Sequence, residues 1–326
     1  MVNINFIAES IKMATVLITG GTGLIGKELS KLLLQKGYEV IILTRKTPAI
    51  VHGSSAIGLH YAEWNTGKQT IDANAIQQAD FIVHLAGAGV ADKRWSAKRK
   101  KEIVDSRTQS SALIIKSLKE LPNKVKAVIS ASAIGWYGAD PSIPNTKPFT
   151  EADKPDTAFL GETCRLWEES IDPVTSMDIR LVKLRTGIAL SREGGALKEF
   201  IKPLRLGIAA ILGNGKQTIS WIHIDDLCRM YAEAIENETL SGVYNAVAPY
   251  PVDNKKLVLS LARKMKGRFF IILYVPSFIL KWKLGAMSIE VLKSATVSAN
   301  KIRESGFQFL CPTIESALER ELVRSQ

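Results

Sequence analysis

Three glycines, Gly20, Gly23 and Gly26, follow the short apolar run Thr15-Val16-Leu17-Ile18 and open a helical pattern from Leu24 to Gln35. Between a strand and a helix, this spacing builds an anion site. The first glycine permits a tight turn, the second lets backbone approach a pyrophosphate, and the third allows close helix–strand packing. The amides of the helix start then face the phosphates. The pattern predicts a bound dinucleotide contacting Gly20, Thr22, Gly23, Leu24, Ile25 and Gly26. A second buried strand, Val40 to Leu43, runs into Thr44-Arg45-Lys46. A carboxylate at this strand end would hold the ribose hydroxyls of NAD. A hydroxyl and cations suit the 2′-phosphate of NADP(H), which a guanidinium can bind bidentately. Either Thr44 and Arg45 read that phosphate, or Arg45 and Lys46 are ordinary surface cations.

Arg107 is a second candidate. It lies four residues after Ile103 and seven before Ile114, on the apolar stripe of a long helical pattern from Ser96 to Leu121. A guanidinium there needs an anion, because unpaired buried charge is costly. That anion is either a cofactor phosphate or a structural carboxylate. The four histidines, His52, His60, His84 and His223, lack helical pair spacing and nearby cysteines, so no metal site is expected.

The elements that must position these residues alternate. Ala79-Asp80 leads into a strand at Phe81 to Leu85, and further strands are expected at Val125 to Ser130 and Ile179 to Leu184, with a helix from Thr157 to Ile171. Continuous apolar strands separated by helices imply a doubly wound parallel α/β sheet covered on both faces. Pro141 to Pro155 reads as a loop. Beyond Arg185 the pattern loosens around Gly194-Gly195, Gly207 and Gly213-Asn214-Gly215. The expected organisation is an N-terminal extension over 1–12, a nucleotide-binding domain over 13–185 to which 219–247 returns, and a smaller C-terminal lobe over 186–326. The most apolar stretch, Phe269 to Leu280, is interrupted by Pro276 and too short for the about 20 residues of a membrane span. It reads as buried core or lobe packing, with a membrane-surface role helped by Lys281 and Lys283 as the alternative.

In a chain of 326 residues, 46% hydrophobic and 23% charged, a packed core is expected rather than disorder. Cys164, Cys228 and Cys311 form no CxxC pair, which suits a reducing compartment. The first twelve residues lack the basic start and apolar run of a signal peptide, so a cytoplasmic location is expected. The net charge of +11 permits nucleic-acid partners. Its densest run, Lys98-Arg99-Lys100-Lys101, sits inside a helix without interleaved aromatics and reads as a basic face near a phosphate site, so no nucleic-acid partner is expected.

Thr19 to Gly26, then His84-Leu85-Ala86-Gly87, resemble the extended short-chain dehydrogenases/reductases. So do Trp221-Ile222-His223-Ile224-Asp225-Asp226 and Gly242-Val243-Tyr244-Asn245. Arg94-Trp95, Ser106-Arg107 and Ser305-Gly306-Phe307-Gln308-Phe309 narrow the resemblance to the atypical "epimerase family protein" group, over nearly the whole chain from Met13. The resemblance implies a Rossmann-type fold and cofactor contacts at the glycine loop, Thr44, Arg45, Leu85, Ala86, Gly87 and Ile188, with Glu102 and Arg107 on the long helix.

It also breaks in two places. Catalytic relatives use Tyr-x-x-x-Lys followed four residues later by glutamate. Anchored on Glu168, those positions hold Leu160 and Cys164, which cannot relay a proton. Nucleotide-sugar enzymes often carry an arginine where this chain has Ile219, so a nucleotide-sugar substrate loses support. The superfamily's active-site serine corresponds to Ser132, and Tyr137 in the next loop could face the nicotinamide, its hydroxyl activated by Arg94 or Arg185. Tyr137 is otherwise a structural aromatic. Two functions fit: an NADP(H)-dependent oxidoreductase or epimerase acting on a small substrate through Ser132 and Tyr137, or a non-catalytic NADP(H)-binding regulator.

Overall fold

Residues 14–45 and 57–323 are described by the computed structural model. The expected extension over 1–12, Lys46 and His52 lie outside them. The first strand, β1 (Thr15–Thr19), sends Val16 and Ile18 into one core cluster and Leu17 into another. Side chains of a strand alternate in direction, so two cores on one strand mean that both faces are covered. This is why the apolar run is continuous.

After β1 come α1 (Leu24–Gln35), β2 (Glu39–Thr44), β3 (Leu59–Asn65), β4 (Thr70–Ile71), α2 (Ala73–Gln78) and β5 (Phe81–His84). The long α3 (Ala97–Glu120), β6 (Ala127–Ala133), α4 (Phe159–Ile171) and β7 (Arg180–Thr186) follow. The chain leaves the sheet for β8 (Ile188–Leu190), α5 (Gly195–Arg205), β9 (Ile208–Leu212), β10 (Thr218–Ile219) and β11 (Trp221–His223). It returns through α6 (Ile224–Glu236) and β12 (Gly242–Ala246). The remainder comprises β13 (Val252–Asp253), α7 (Asn254–Lys266), β14 (Ile271–Val275), α8 (Ser277–Leu284), α9 (Ser288–Leu292), α10 (Asn300–Glu304) and α11 (Ile314–Val323).

The main sheet has the order β12-β7-β6-β5-β1-β2-β3-β4, parallel throughout except for the β3–β4 pair. The direction of winding reverses between β1 and β5. The carboxyl ends of these two strands therefore border a crevice, the place where open α/β sheets bind ligands. A third core cluster, built on Trp221, Leu197, Leu257 and Leu318, holds the C-terminal elements together. Asp140 ties them to the sheet: its carboxylate accepts from the Ser294 hydroxyl, the Thr296 hydroxyl and the Thr296 amide at 2.8, 2.8 and 2.9 Å.

The long helix begins where its capping chemistry says. Ser96 is the N-cap and its Oγ accepts from the Arg99 amide at 3.1 Å. β6 extends past the expected Ser130 to Ala133, because Ala131, Ser132 and Ala133 continue the parallel ladder opposite Leu184, Arg185 and Thr186. The reading of Phe269 to Leu280 as buried is corrected. Phe269 is 88% exposed, Ile271 74% and Phe278 71%, and of the described stretch only Leu280 is buried among its large apolar side chains. β14 pairs with β9 alone, and it is β9 that packs onto the core, through Ala209 and Ile211.

Candidate nucleotide-binding site

At the crevice the glycine loop is fixed by close approaches that no larger residue tolerates. Gly20 has φ +69°, and a Cβ there would lie 2.9 Å from the Leu85 carbonyl carbon. A Cβ on Gly26 would lie 2.5 Å from the Gly20 carbonyl oxygen. The turn is closed by the Gly23 amide donating to the Gly20 carbonyl at 3.0 Å. Gly23 is the N-cap of α1, and the helix start has neither a side-chain cap nor an acidic residue in its first turn. Orphan amides at such a terminus, with the positive end of the helix dipole, fit a phosphate group.

His84 braces the opposite wall. Thr19 Oγ1 accepts from the amides of Leu85 and Ala86, both at 3.1 Å, so its own proton points to His84 Nδ1 at 2.8 Å. That assignment leaves the ring proton on Nε2, facing the Ser110 and Ser111 hydroxyls at 3.3 Å. Those hydroxyls in turn donate to carbonyls of α3, at Ser106 and Arg107. Burial, reinforced by the Arg107 charge, lowers the His84 pKa from 6.5 to about 3. The ring is a neutral strut joining β1, β5 and α3.

Between the loop and α3 lies a cavity of about 810 Å³. Its lining includes Gly20, Thr22, Gly23, Thr44, Arg45, Leu85, Ala86, Gly87 and Glu102. Trp64 of β3, Thr66 just after it and Gln109 of α3 add a wall that the sequence does not announce, because β3 is half-exposed and shows no apolar run. Lys98, Arg99 and Lys101 also reach it. Arg99 is buried and paired with Glu102 at 2.8 Å and Asp92 at 3.4 Å, and Lys101 is paired with Asp105 at 2.5 Å. Among the described residues Arg45 and Lys98 have no carboxylate at ion-pair distance. Among the described residues, these two cations share the cavity lining with Thr44.

Leu24, Ile25, Gly26, Arg107 and Ile188 lie outside this lining. Leu24 and Ile25 pack against the main core and Ile188 against the C-terminal one. Arg107 sits directly beneath Gly87, where a Cβ would lie 3.0 Å from its Cζ. Its Nη1 donates to the carbonyls of Ile103 and Ala88 at 2.9 and 3.1 Å, and its guanidinium covers the Trp167 ring at 4.8 Å. No carboxylate among the described residues pairs with it, so the structural carboxylate considered above is replaced by carbonyls and an aromatic face. Burial lowers its pKa.

The proposed reacting hydroxyls lie elsewhere. Tyr137 is fully buried, stacked on Phe149 with ring centroids 5.2 Å apart. Its hydroxyl donates to Asn245 Oδ1 at 2.6 Å and accepts from Arg185 Nη1 at 3.1 Å. Burial pushes its pKa up to about 12 against the opposing pull of Arg185. Ser132 is buried too and donates to Glu168 at 2.7 Å, while Arg185 holds the same carboxylate through Nε and Nη2 at 2.8 and 3.0 Å. The expected proton donor is a member of a buried polar network that joins Asn245, Arg185, Glu168 and Ser132. Arg185 is the cation beside it; Arg94 instead lies against Gly285.

Leu160 and Cys164 fill the acid–base positions. A Cβ on Gly135 would lie 3.2 Å from Leu160 Cβ and 3.5 Å from Cys164 Sγ, so the 3-10 turn Ile134–Trp136 packs directly onto them. Burial raises the Cys164 thiol to about 12 and keeps it neutral.

The sequence profile of the NAD dependent epimerase/dehydratase family matches residues 16–246, and a domain of unknown function, DUF1731, matches 275–321. The Bacillus subtilis epimerase family protein YfhF is 33% identical over 306 residues, covering 94% of this chain and 97% of its own. The Mycobacterium leprae epimerase family protein ML0860 is 32% identical over 320 residues, covering 97% and 98%. Among solved structures, the human epimerase family protein SDR39U1 with NADPH aligns at TM-score 0.80 and 28% identity, over 94% of this chain and 98% of that one. The UDP-glucuronic acid 4-epimerase of Bacillus cereus aligns at TM-score 0.76 and 19% identity, over 96% and 100%, and shares the fold.

Proposed function

Because the chain belongs to the NAD dependent epimerase/dehydratase family, we propose that its cavity takes NADP(H) and that it works as an oxidoreductase or epimerase on a small substrate. The observation that carries the cofactor half is that Thr44, Arg45 and Lys98 line the same cavity as the glycine loop. The glycine contacts and the uncapped start of α1 fit the pyrophosphate; Thr44 and Arg45 fit the 2′-phosphate. The NADPH carried by the human relative supports the same choice. Arg107, one residue layer below Gly87 and without a carboxylate partner, would add positive potential behind the phosphates.

When bound, the nicotinamide supplies hydride chemistry. The chain's own contribution at that end differs from the Tyr-x-x-x-Lys pattern. Leu160 and the neutral Cys164 thiol present no proton relay, and the Ser132–Glu168–Arg185–Tyr137 network holds β6, α4, β7 and β12 in register. The substrate's proton would then come from solvent or from the substrate itself.

The sealed Tyr137 favours a second reading, a regulator in which NADP(H) occupancy sets the arrangement of the C-terminal elements. NADPH consumption across a panel of aldehydes, ketones and enones separates the two. Turnover by the purified chain supports the enzyme; tight NADPH binding with no turnover of any member supports the regulator.

A further inference from the structure

The exposed apolar ridge of β14 and α8 has no role in the cavity. Leu206 at 81%, Phe269 at 88%, Ile271 at 74%, Phe278 at 71% and Trp282 at 80% are exposed to solvent, with Leu273 at 51%. Leu206, Phe269 and Ile271 are brought together by the β9–β14 pairing: the Ile271 amide donates to the Gly207 carbonyl at 2.8 Å, and Ile271 stands opposite Ile208. α8 follows after Pro276. Exposed large apolar side chains gathered on one strand pair and on the helix that follows it mark an interaction site.

Charge identifies the partner. From Arg263 to Gly285 the chain carries Arg263, Lys264, Lys266, Arg268, Lys281 and Lys283, and no acidic residue. Lys281 and Lys283 flank Trp282, and neither they nor Arg268 has an ion-pair partner among the described residues. A second copy of the chain would set cations against cations across a symmetric contact. Moreover, the four residues Ile271 to Tyr274 are exposed on both faces of the strand, so the ridge projects rather than forming one flat face. Such a ridge suits a medium that surrounds it. We propose that β14 and α8 form a peripheral membrane-binding surface, with Phe269, Phe278 and Trp282 entering the head-group boundary of an anionic bilayer and the flanking lysines and arginines meeting its phosphates.

Flotation of the full chain with phosphatidylcholine vesicles, with and without phosphatidylglycerol, tests this. The chain is expected to float with phosphatidylglycerol vesicles, about tenfold or more above neutral ones, and to be released by salt. Phe278→Ser with Trp282→Ser is expected to abolish flotation, and Lys281→Glu with Lys283→Glu to weaken it about tenfold or more. Both pairs are exposed, and unchanged thermal unfolding establishes that they fold. Absence of flotation, equal flotation with neutral vesicles, or flotation untouched by both double variants overturns the proposal. A dimer seen by light scattering and dissolved by the Phe278/Trp282 pair overturns it in favour of self-association.

Discussion

Replacing Tyr137 by phenylalanine removes one oxygen from a closed site, and the structure says what that oxygen holds. The ring keeps its volume and its stack on Phe149 at 5.2 Å, so no cavity contribution arises. Arg185 keeps both bonds to Glu168 and its 3.2 Å bond to the Glu151 carbonyl. Asn245 Oδ1, fully buried, loses the 2.6 Å donor. A buried amide oxygen left without its partner costs about 1–3 kcal/mol, so Tyr137→Phe should lower stability by about 2 kcal/mol. Tyr137→Leu also loses the stack and leaves a void, for a total of about 3–5 kcal/mol. Urea unfolding at neutral pH, read by fluorescence, measures both. NADPH affinity should stay unchanged in Tyr137→Phe, as should turnover once a substrate is known. Wild-type stability with turnover reduced about a hundredfold or more would refute the structural assignment and restore Tyr137 as proton donor.

Acid stability probes His84. A folded pKa near 3 against 6.5 in the unfolded chain means that the native ring stays neutral while the unfolded one takes a proton. The contribution of His84 is complete above pH 6.5 and is lost as pH falls toward 3, by about 1.4 kcal/mol per unit, or about 2 kcal/mol at pH 5. His84→Asn, compared with wild type by urea titration at several pH values, should lose this slope; the same slope in both contradicts the neutral strut. Arg107→Met keeps apolar volume and removes the charge, so calorimetry should show NADPH binding about tenfold weaker while ligand-free unfolding changes by about 1 kcal/mol or less. Unchanged affinity with a large loss of stability would make Arg107 purely structural.

What the sequence disclosed follows how locally each feature is determined. The glycine loop, the cap at Ser96 and the apolar strands β1, β2 and β5 depend on neighbours within a few residues, and their types and places were readable. Leu160 and Cys164 were readable as well, because their spacing from Glu168 is a property of one helix. The fate of Tyr137 was not: its hydroxyl is taken by Asn245, 108 positions away, and by Arg185 on another strand. The Trp64 and Thr66 wall was hidden because β3 alternates between cover and solvent and carries His60 and Glu63 within it. Phe269 to Leu280 shows the opposite limit. Its apolarity is plain in the sequence, but whether other elements cover it is decided by β9 taking the place on the core and leaving β14 outside.

Calorimetric titration of NADPH and NADH into the same preparation tests the central claim, that the cavity beside Thr44, Arg45 and Lys98 reads a 2′-phosphate. NADPH should bind at least about tenfold more tightly, a difference of about 1.4 kcal/mol that one bidentate phosphate contact can supply. Arg45→Ala should erase most of that preference while leaving NADH affinity in place. Equal affinities in the wild type, or a preference that survives Arg45→Ala, would contradict the account.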